Sequence, residues 1–244
     1  RSNIEIANVR HIIISGIYAS IAAILVALEP DFGSAVIILA LWFGMVLISG
    51  ISKRHLLGVI CIAALAFGIL WSSVLAPYQK ARVSTFLNPL TDIHGAGYNA
   101  YQSTIAVGSG EVLGKGIGLG SQSKLLFLPE YQTDFIFAAF AEEWGFIGAI
   151  LLLVLSLLLL LRIVENARNA QNNFETLFGL GVAILFSIHI LIHAGMNMGL
   201  LPVTGIVYPF MSYGGSHLLT EFFVLGMLSS MVSRSQGAQL IGKV

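Results

Sequence analysis

The sequence is short of charge. Only 10% of its 244 residues are Asp, Glu, Lys or Arg, whereas a soluble domain carries about a quarter. Twelve basic and twelve acidic residues cancel, so the charge balance gives no reason to expect nucleic acid or an acidic partner. Because 57% of the residues are hydrophobic, the composition indicates an integral membrane protein.

Cysteine and nucleotide-binding motifs are also lacking. The single cysteine, Cys61, lies in an apolar run, so no intrachain disulfide can brace a loop. Six glycines fall between Gly108 and Gly120. They do not form a phosphate-binding P-loop, because Lys115 is followed by Gly116 rather than by Ser or Thr. We expect these glycines to let the backbone approach a ligand or a membrane headgroup.

The apolar residues fall into six segments that approach the roughly 17–25 residues needed to span a bilayer as a helix. They predict an all-α integral membrane protein with a single membrane domain over residues 1–244. The start at Arg1 rather than Met suggests a fragment or an incomplete gene model. The six predicted spans are Ile12–Leu28, Ala35–Ile51, Leu56–Leu75, Phe135–Leu161, Phe178–Met196 and His217–Ser233.

The basic residues predict how these spans are oriented. Short connections on one side carry most of them, and the short connections on the other side carry none. By the positive-inside rule, both termini are cytoplasmic, and the long loop 76–133 faces outward. This orientation excludes cytoplasmic nucleotides as substrates at the loop. The eight residues on the cytoplasmic side are Arg1, Arg10, Lys53, Arg54, Arg162, Arg168, Arg234 and Lys243.

Asp134 stands between the loop and the apolar run that continues to Leu161. An ionisable residue at the mouth of a membrane helix is costly, and it is by default a candidate functional residue. Glu142 follows eight residues later, which is about 80° around a helix. We therefore expect Asp134 and Glu142 to face one groove.

The loop and its borders predict further local features. Tyr98–Val107 has the mixed composition of a short interfacial helix. Pro30 ends the first helix, and Asp31 or Ser34 caps the next. Three cations, Arg82, Lys115 and Lys124, are suited either to a pyrophosphate group or to anionic lipid headgroups.

Polar side chains also recur in the last two spans. His189, His193 and Asn197 follow one another at intervals of four residues. This stripe is consistent with interhelical hydrogen bonds, with a lining for the site, or with a metal site that lacks an evident third ligand. Glu221 lies one turn after His217 and is expected to form a structural pair with it.

Several motifs resemble the SEDS family, whose members include RodA, FtsW and SpoVE. The resemblance covers nearly the whole chain, and the stretch QSKLLFLPE is more similar to RodA than to FtsW. The family has about ten spanning helices; the six here match the last six, so the N-terminal helices are missing. The motifs are EPDFGSA (Glu29–Ala35), YQKARVSTFLNP (Tyr78–Pro89), YQSTIAVGSG (Tyr101–Gly110), FLPEYQTDFIFA (Phe127–Ala138), EEWGFIG (Glu142–Gly148) and NMGLLPVTGIVYPFMSYGGS (Asn197–Ser216).

The resemblance implies a peptidoglycan glycosyltransferase in the bacterial cytoplasmic membrane. Such an enzyme polymerises lipid II into β-1,4 glycan on the outer face, releases undecaprenyl pyrophosphate, and works with a class B penicillin-binding transpeptidase. Asp134 matches the family's essential aspartate and would be the general base. A divalent cation, Mg²⁺ or Mn²⁺, could share the neutralisation of the pyrophosphate, although the sequence shows no ligand set for one.

The remaining residues of the motifs take two expected roles. Substrate and pyrophosphate binding would fall to Arg82, Lys115, Lys124, Gln102 and Ser103, and a supporting role to Glu130, Thr133, Glu142, Ser212, Gly214 and Gly215. The sequence does not separate elongation from division or sporulation. Two alternatives remain, a transporter (flippase) of the lipid-linked precursor and a non-catalytic scaffold of the wall-synthesis complex.

Overall fold

The computed structural model describes residues 9–29, 31–88 and 97–241, and every regular element within these ranges is helical. Four residues named in the sequence analysis, Arg1, Pro30, Pro89 and Lys243, lie outside the described residues. The chain divides into two compact units, Arg1–Tyr98 and Asn99–Val244. Each unit is described by itself below.

Where the structure describes the first unit, it contains four helices, of which α1 and α2 pack against each other. Trp42 Nε1 donates a hydrogen bond to Ser15 Oγ at 3.1 Å. The Trp42 ring also covers Gly16, where a Cβ would lie 3.0 Å from the ring. A small residue is therefore required at this crossing. The helices are α1 (Val9–Leu28), α2 (Phe32–Ile48), α3 (Lys53–Ile69), which continues through a π-helical turn (Leu70–Val74), and α4 (Pro77–Leu87).

Local sequence determines where these helices begin. Asp31 caps α2 by accepting a hydrogen bond from Ser34 N at 3.0 Å, which confirms the predicted cap. Ser52 caps α3 in the same manner. Pro77 occupies the first turn of α4, where its missing N–H costs no helical hydrogen bond.

The second unit is built on α7, which packs against α8 and α9. Phe137, Ile190, Ala194 and Tyr208 form one buried cluster between α7, α8 and the link that follows α8. A second cluster contains Ile163 of α7, Phe186 of α8 and Leu228 of α9. The helices are α5 (Tyr98–Ser109), α6 (Ser121–Lys124), α7 (Ile136–Arg168), α8 (Asn173–Asn197) and α9 (Gly215–Ile241).

A helix lies at each of the six predicted apolar segments, and the short helix predicted over Tyr98–Val107 is confirmed as α5. Among the described residues, four helical stretches are long and apolar enough to cross a membrane, and α2 is a shorter apolar helix. The number of six spans stays a prediction. The four stretches are Arg10–Leu28, Lys53–Ser73, Ile136–Arg168 and Asn173–Asn197.

Helix α7 is interrupted at Gly145, whose φ of 67° and ψ of −167° are not helical. The glycine-rich loop enters this break. Lys115 N donates to Glu142 O and Gly116 N donates to Glu143 O, both at 3.0 Å. In this way backbone groups that the break removes from the helical ladder regain partners.

The loop glycines explain how two backbones come so close. A Cβ on Gly110 would lie 2.0 Å from Ala141 O, and one on Gly114 would lie 2.2 Å from Glu143 O. We expected these glycines to admit a ligand or a lipid headgroup. At these two positions the approaching group is instead the backbone of α7 itself, so the glycines serve the fold.

The break predicts a specific stability defect. Gly145→Ala places a side chain at positive φ and within 2.3 Å of Gly114 N, so we expect it to destabilise the protein by about 2–4 kcal/mol. Gly108→Ala is the matched control, because a Cβ at that helical position meets nothing within 4 Å. Thermal unfolding in detergent compares the two variants. Equal melting temperatures for both would contradict the proposed origin of the break.

Candidate functional site

Asp134 lies in the turn that precedes α7, and its side chain is half-buried. The backbone N–H groups of Thr133 and Phe135 both donate to Glu130 O at 3.2 Å, which closes this turn. Because α7 begins only at Ile136, Asp134 is not part of the helix. We predicted that Asp134 and Glu142 face one groove because they would lie about 80° apart on one helix. That geometry does not apply, since Asp134 lies before the helix.

Asn197, the last residue of α8, holds the entry to α7. Its side chain is fully buried, donates to Asp134 O at 3.0 Å and accepts from Ala138 N at 3.0 Å. Residues 134 and 138 are four apart, so a regular helix would pair these two backbone groups directly. Asn197 joins them through its amide, and it also donates to His193 O at 2.8 Å. The backbone position of Asp134 is thus fixed by α8.

The link between α8 and α9 lies against the same turn. Ser212 Oγ donates to Thr133 O at 2.8 Å. A Cβ on Gly205, which has a φ of +73°, would lie 3.4 Å from Asp134 Oδ2. The Asp134 carboxylate therefore lies beside the backbone of the link, at a position without a side chain.

Glu142 has no exposure to solvent, and its partners come from the glycine-rich loop and from the first turn of α6. Lys115 Nζ lies 2.7 Å from Glu142 Oε1, and Ser121 Oγ and Gln122 N donate to it at 3.1 Å. Gly120 leaves room for the carboxylate, because a Cβ there would lie 2.8 Å from Oε2. A buried carboxylate is tolerated only when it is paired and hydrogen-bonded in this way.

The three cations proposed from the sequence have different surroundings. The Lys115 side chain is 30% exposed, and its charge is paired with Glu142. Lys124, at the end of α6, is exposed. Arg82 is exposed on α4 of the first unit. Lys124 and Arg82 are therefore more accessible than Lys115 to an anionic ligand.

The other predicted site residues of the loop lie on α5. Ser103 is fully buried and donates to Asn197 O at 2.8 Å, so it connects α5 to the residue that holds Asp134. Gln102 is half-buried, and its Oε1 has no hydrogen-bond partner within the described part of the protein. Ser103 thus has a structural contact, whereas the buried Oε1 of Gln102 has none within the described residues.

The predicted supporting residues occupy the borders of the site. Glu130 is exposed, has a φ of 53° and accepts from Thr133 Oγ1 at 3.0 Å. Gly214 O accepts from Leu218 N at 3.0 Å, and Gly215 is the first residue of α9. These contacts shape the turn and the helix start.

The histidine stripe forms hydrogen bonds. His193 is fully buried with Nδ1 2.6 Å from Ile206 O, and His189 Nδ1 lies 2.9 Å from Leu185 O. His217 Nδ1 is paired with Glu221 Oε1 at 2.9 Å, as predicted. Within the described ranges, no three side chains of the metal-binding types are grouped to hold an ion.

Comparison with known proteins decides the family. The model of the FtsW, RodA and SpoVE family, described as "cell cycle protein", matches residues 2–237. The chain belongs to the SEDS family. It is 41% identical over 209 residues to the peptidoglycan glycosyltransferase MrdB of Escherichia coli K12, with 85% of this chain and 56% of that protein aligned.

A second relative and a solved structure support the same family. The probable peptidoglycan glycosyltransferase FtsW of Thiomicrospira cyclica is 42% identical over 213 residues, covering 85% of this chain and 54% of that protein. The chain therefore spans about half the length of these relatives. A solved structure, described as structural coordination of polymerization and crosslinking by a peptidoglycan synthase complex, matches with a TM-score of 0.76 and 30% identity. That match covers 94% of this chain and 64% of the other.

Sequence reasoning missed two features of this SEDS protein. Asn197 was grouped with the histidines, and its contact with Asp134 O was not anticipated. Its signal was an amide side chain at the end of an apolar helix, directly before a Gly- and Pro-containing link. The break at Gly145 was also missed, and the glycine in EEWGFIG was its only local signal.

The pairing of Lys115 with Glu142 predicts a coupled stability effect. Lys115→Met leaves the buried carboxylate without its cation, and we expect the free energy of unfolding to fall by about 2–3 kcal/mol. This is less than the loss expected for a fully buried ion pair, because Lys115 is partly exposed. Glu142→Gln added to Lys115→Met should restore most of the loss. Thermal unfolding of both single variants and the double variant measures the coupling. Strictly additive losses would show that the pair does not act as a unit.

The two hydrogen bonds that Asn197 forms with Asp134 O and Ala138 N, which we call the Asn197 bracket, predict a local effect on backbone stability. Asn197→Leu removes the partners of Asp134 O and Ala138 N, so we expect a destabilisation of about 1–3 kcal/mol. Hydrogen–deuterium exchange should rise selectively in the peptide that spans residues 134–142. Asn173→Ala, at an exposed position of α8, serves as the control. Unchanged exchange at the entry to α7 would argue against the bracket.

Proposed function

We propose that this SEDS protein is a peptidoglycan glycosyltransferase, which extends β-1,4 glycan strands from lipid II. The names of its relatives favour this activity over the transporter and scaffold alternatives. The observation that carries the proposal is the placement of Asp134. Its carboxylate is half-buried beside Gly205, and Asn197 donates a hydrogen bond to the backbone oxygen of Asp134. A general base requires such fixed geometry at the edge of a substrate site.

In the proposed reaction, Asp134 accepts the proton of the 4-hydroxyl of the acceptor sugar. The hydroxyl oxygen forms a bond to the anomeric carbon of the donor. The bond from that carbon to the phosphate oxygen breaks, and its electron pair leaves with undecaprenyl pyrophosphate.

The leaving pyrophosphate needs positive charge, since its negative charge increases as the bond breaks. Lys124 and Arg82 are exposed and remain our candidates for this role. Lys115 is a weaker candidate, because the ion pair with Glu142 neutralises its charge. Gln102 has an unsatisfied acceptor, Oε1, but this atom is buried and would have to become accessible before it could bind a sugar hydroxyl or amide.

The membrane setting follows from the family. The protein is a multi-pass membrane protein of the bacterial inner membrane. We propose the orientation with cytoplasmic termini and an outward-facing loop, which puts Asp134 on the side where lipid II is polymerised. We also propose a class B penicillin-binding transpeptidase as partner, a proposal supported by the similarity to a peptidoglycan synthase complex.

The base assignment is tested with Asp134→Asn. The amide cannot accept the hydroxyl proton, so we expect glycan synthesis from purified lipid II to fall by about 10²–10⁴-fold. Gel analysis of glycan products made by the purified protein measures the change. Glu165→Gln is the matched control, because it neutralises an exposed carboxylate near the other end of α7 and should retain most activity.

Two outcomes would overturn parts of this assignment. Equal glycan yield from wild type and Asp134→Asn would remove Asp134 from catalysis. Absence of polymerisation by the folded wild-type protein, together with transport of lipid II across vesicles, would favour the transporter alternative.

A further inference from the structure

Exposed apolar side chains surround the break in α7. Val112, Leu113, Trp144, Phe146 and Ile147, which we name the collar, are between 44% and 79% exposed. A protein surface in water rarely leaves several large apolar side chains together without a partner. The collar therefore requires an apolar environment.

The two parts of the collar are adjacent. Phe146 N donates to Glu111 O at 2.8 Å, and Ile147 N donates to Val112 O at 3.2 Å. A Cβ on Gly145 would lie 2.7 Å from the carbonyl carbon of Leu113. The loop thus lies directly against the first residues after the break, and its apolar side chains continue the exposed surface of α7.

The sequence of α7 sets the depth of the collar in a membrane. The uncharged stretch from Trp144 to Leu161, between Glu143 and Arg162, has 18 residues. At about 1.5 Å per residue it spans about 27 Å, close to the roughly 30 Å of a hydrocarbon core. Trp144 then falls at the interface, where tryptophan is enriched, and Phe146 and Ile147 lie at the edge of the acyl chains.

Loop residues bonded to this part of α7 must lie at the same depth. Irregular backbone is tolerated there only when its polar groups are paired within the protein. The loop meets this condition at the break. Besides the two hydrogen bonds to Glu111 O and Val112 O, Lys115 N and Gly116 N donate to Glu142 O and Glu143 O at 3.0 Å.

We propose that loop 111–116 is a membrane anchor, which inserts Val112 and Leu113 among the acyl chains at the edge of the lipid bilayer. The occupant of the collar is lipid because the collar continues the exposed apolar surface of a membrane-crossing helix and contains no charged residue. This anchor is independent of the proposed sugar transfer. It fixes the loop that satisfies Glu142 to the membrane edge.

Spin-label accessibility in lipid nanodiscs tests the anchor. Cys61→Ser removes the one native thiol, and Leu113→Cys and Val112→Cys supply label sites in the otherwise intact protein. Glu130→Cys, at an exposed charged position of the turn before α7, is the control. Labels at residues 113 and 112 should be more accessible to oxygen than to a water-soluble nickel complex, and the label at residue 130 should show the reverse.

Each alternative has a distinct result. A label at residue 113 that is as accessible to the nickel complex as the label at residue 130 would place the collar in water and overturn the anchor. A strongly immobilised label that neither reagent reaches would show that protein covers the collar, which also overturns it. Melting temperatures equal to that of the Cys61→Ser background, together with agreement between residues 112 and 113, exclude misfolding as the cause.

Discussion

A carboxylate without solvent contact constrains the second unit of this protein. Removing an ion from water costs several kcal/mol after relaxation, unless a partner and hydrogen bonds replace the water. Glu142 is such an ion, and Lys115, Ser121 and the backbone of Gln122 supply its replacement shell. These donors come from the glycine-rich loop and from the first turn of α6, so both must fold onto α7 wherever Glu142 is buried. The position of Gly120 beside Oε2 follows from the same requirement.

Helix α7 departs from a regular hydrogen-bond ladder at two places, and each departure is stabilised from outside the helix. At its entry, Asn197 of α8 bridges Asp134 O and Ala138 N. At Gly145, backbone groups of the loop form hydrogen bonds with the backbone groups of α7 on either side of the break. Asp134 precedes the short helical stretch between these two points. Its backbone therefore depends on packing between α7, α8 and the loop, which is the preorganisation that a catalytic group needs.

The sequence was sufficient for the helices and insufficient for their interruptions. A helix lies at each of the six predicted apolar runs, and Asp31 forms the predicted cap, because helix formation by apolar runs and N-capping depend on local residue types. The pairing of Lys115 with Glu142 joins residues 27 positions apart, and the bracket of Asn197 joins residues 63 positions apart. No periodic pattern in the sequence predicts contacts between residues this far apart. A helical wheel placed Asp134 and Glu142 on one face because it extended helical geometry back to Asp134, whereas α7 begins at Ile136.

The ion pair also bears on the electrostatics of the proposed reaction. An unpaired ammonium favours the charged form of any nearby carboxylate and so weakens it as a base. Glu142 neutralises Lys115, and the loop consequently packs onto α7 without adding net charge from this pair. In the proposed reaction, positive charge for the pyrophosphate comes instead from exposed cations, of which Lys124 is the candidate in this unit. Lys115 therefore stabilises the fold through Glu142, and in the proposed reaction the contact with the leaving group falls to a different cation.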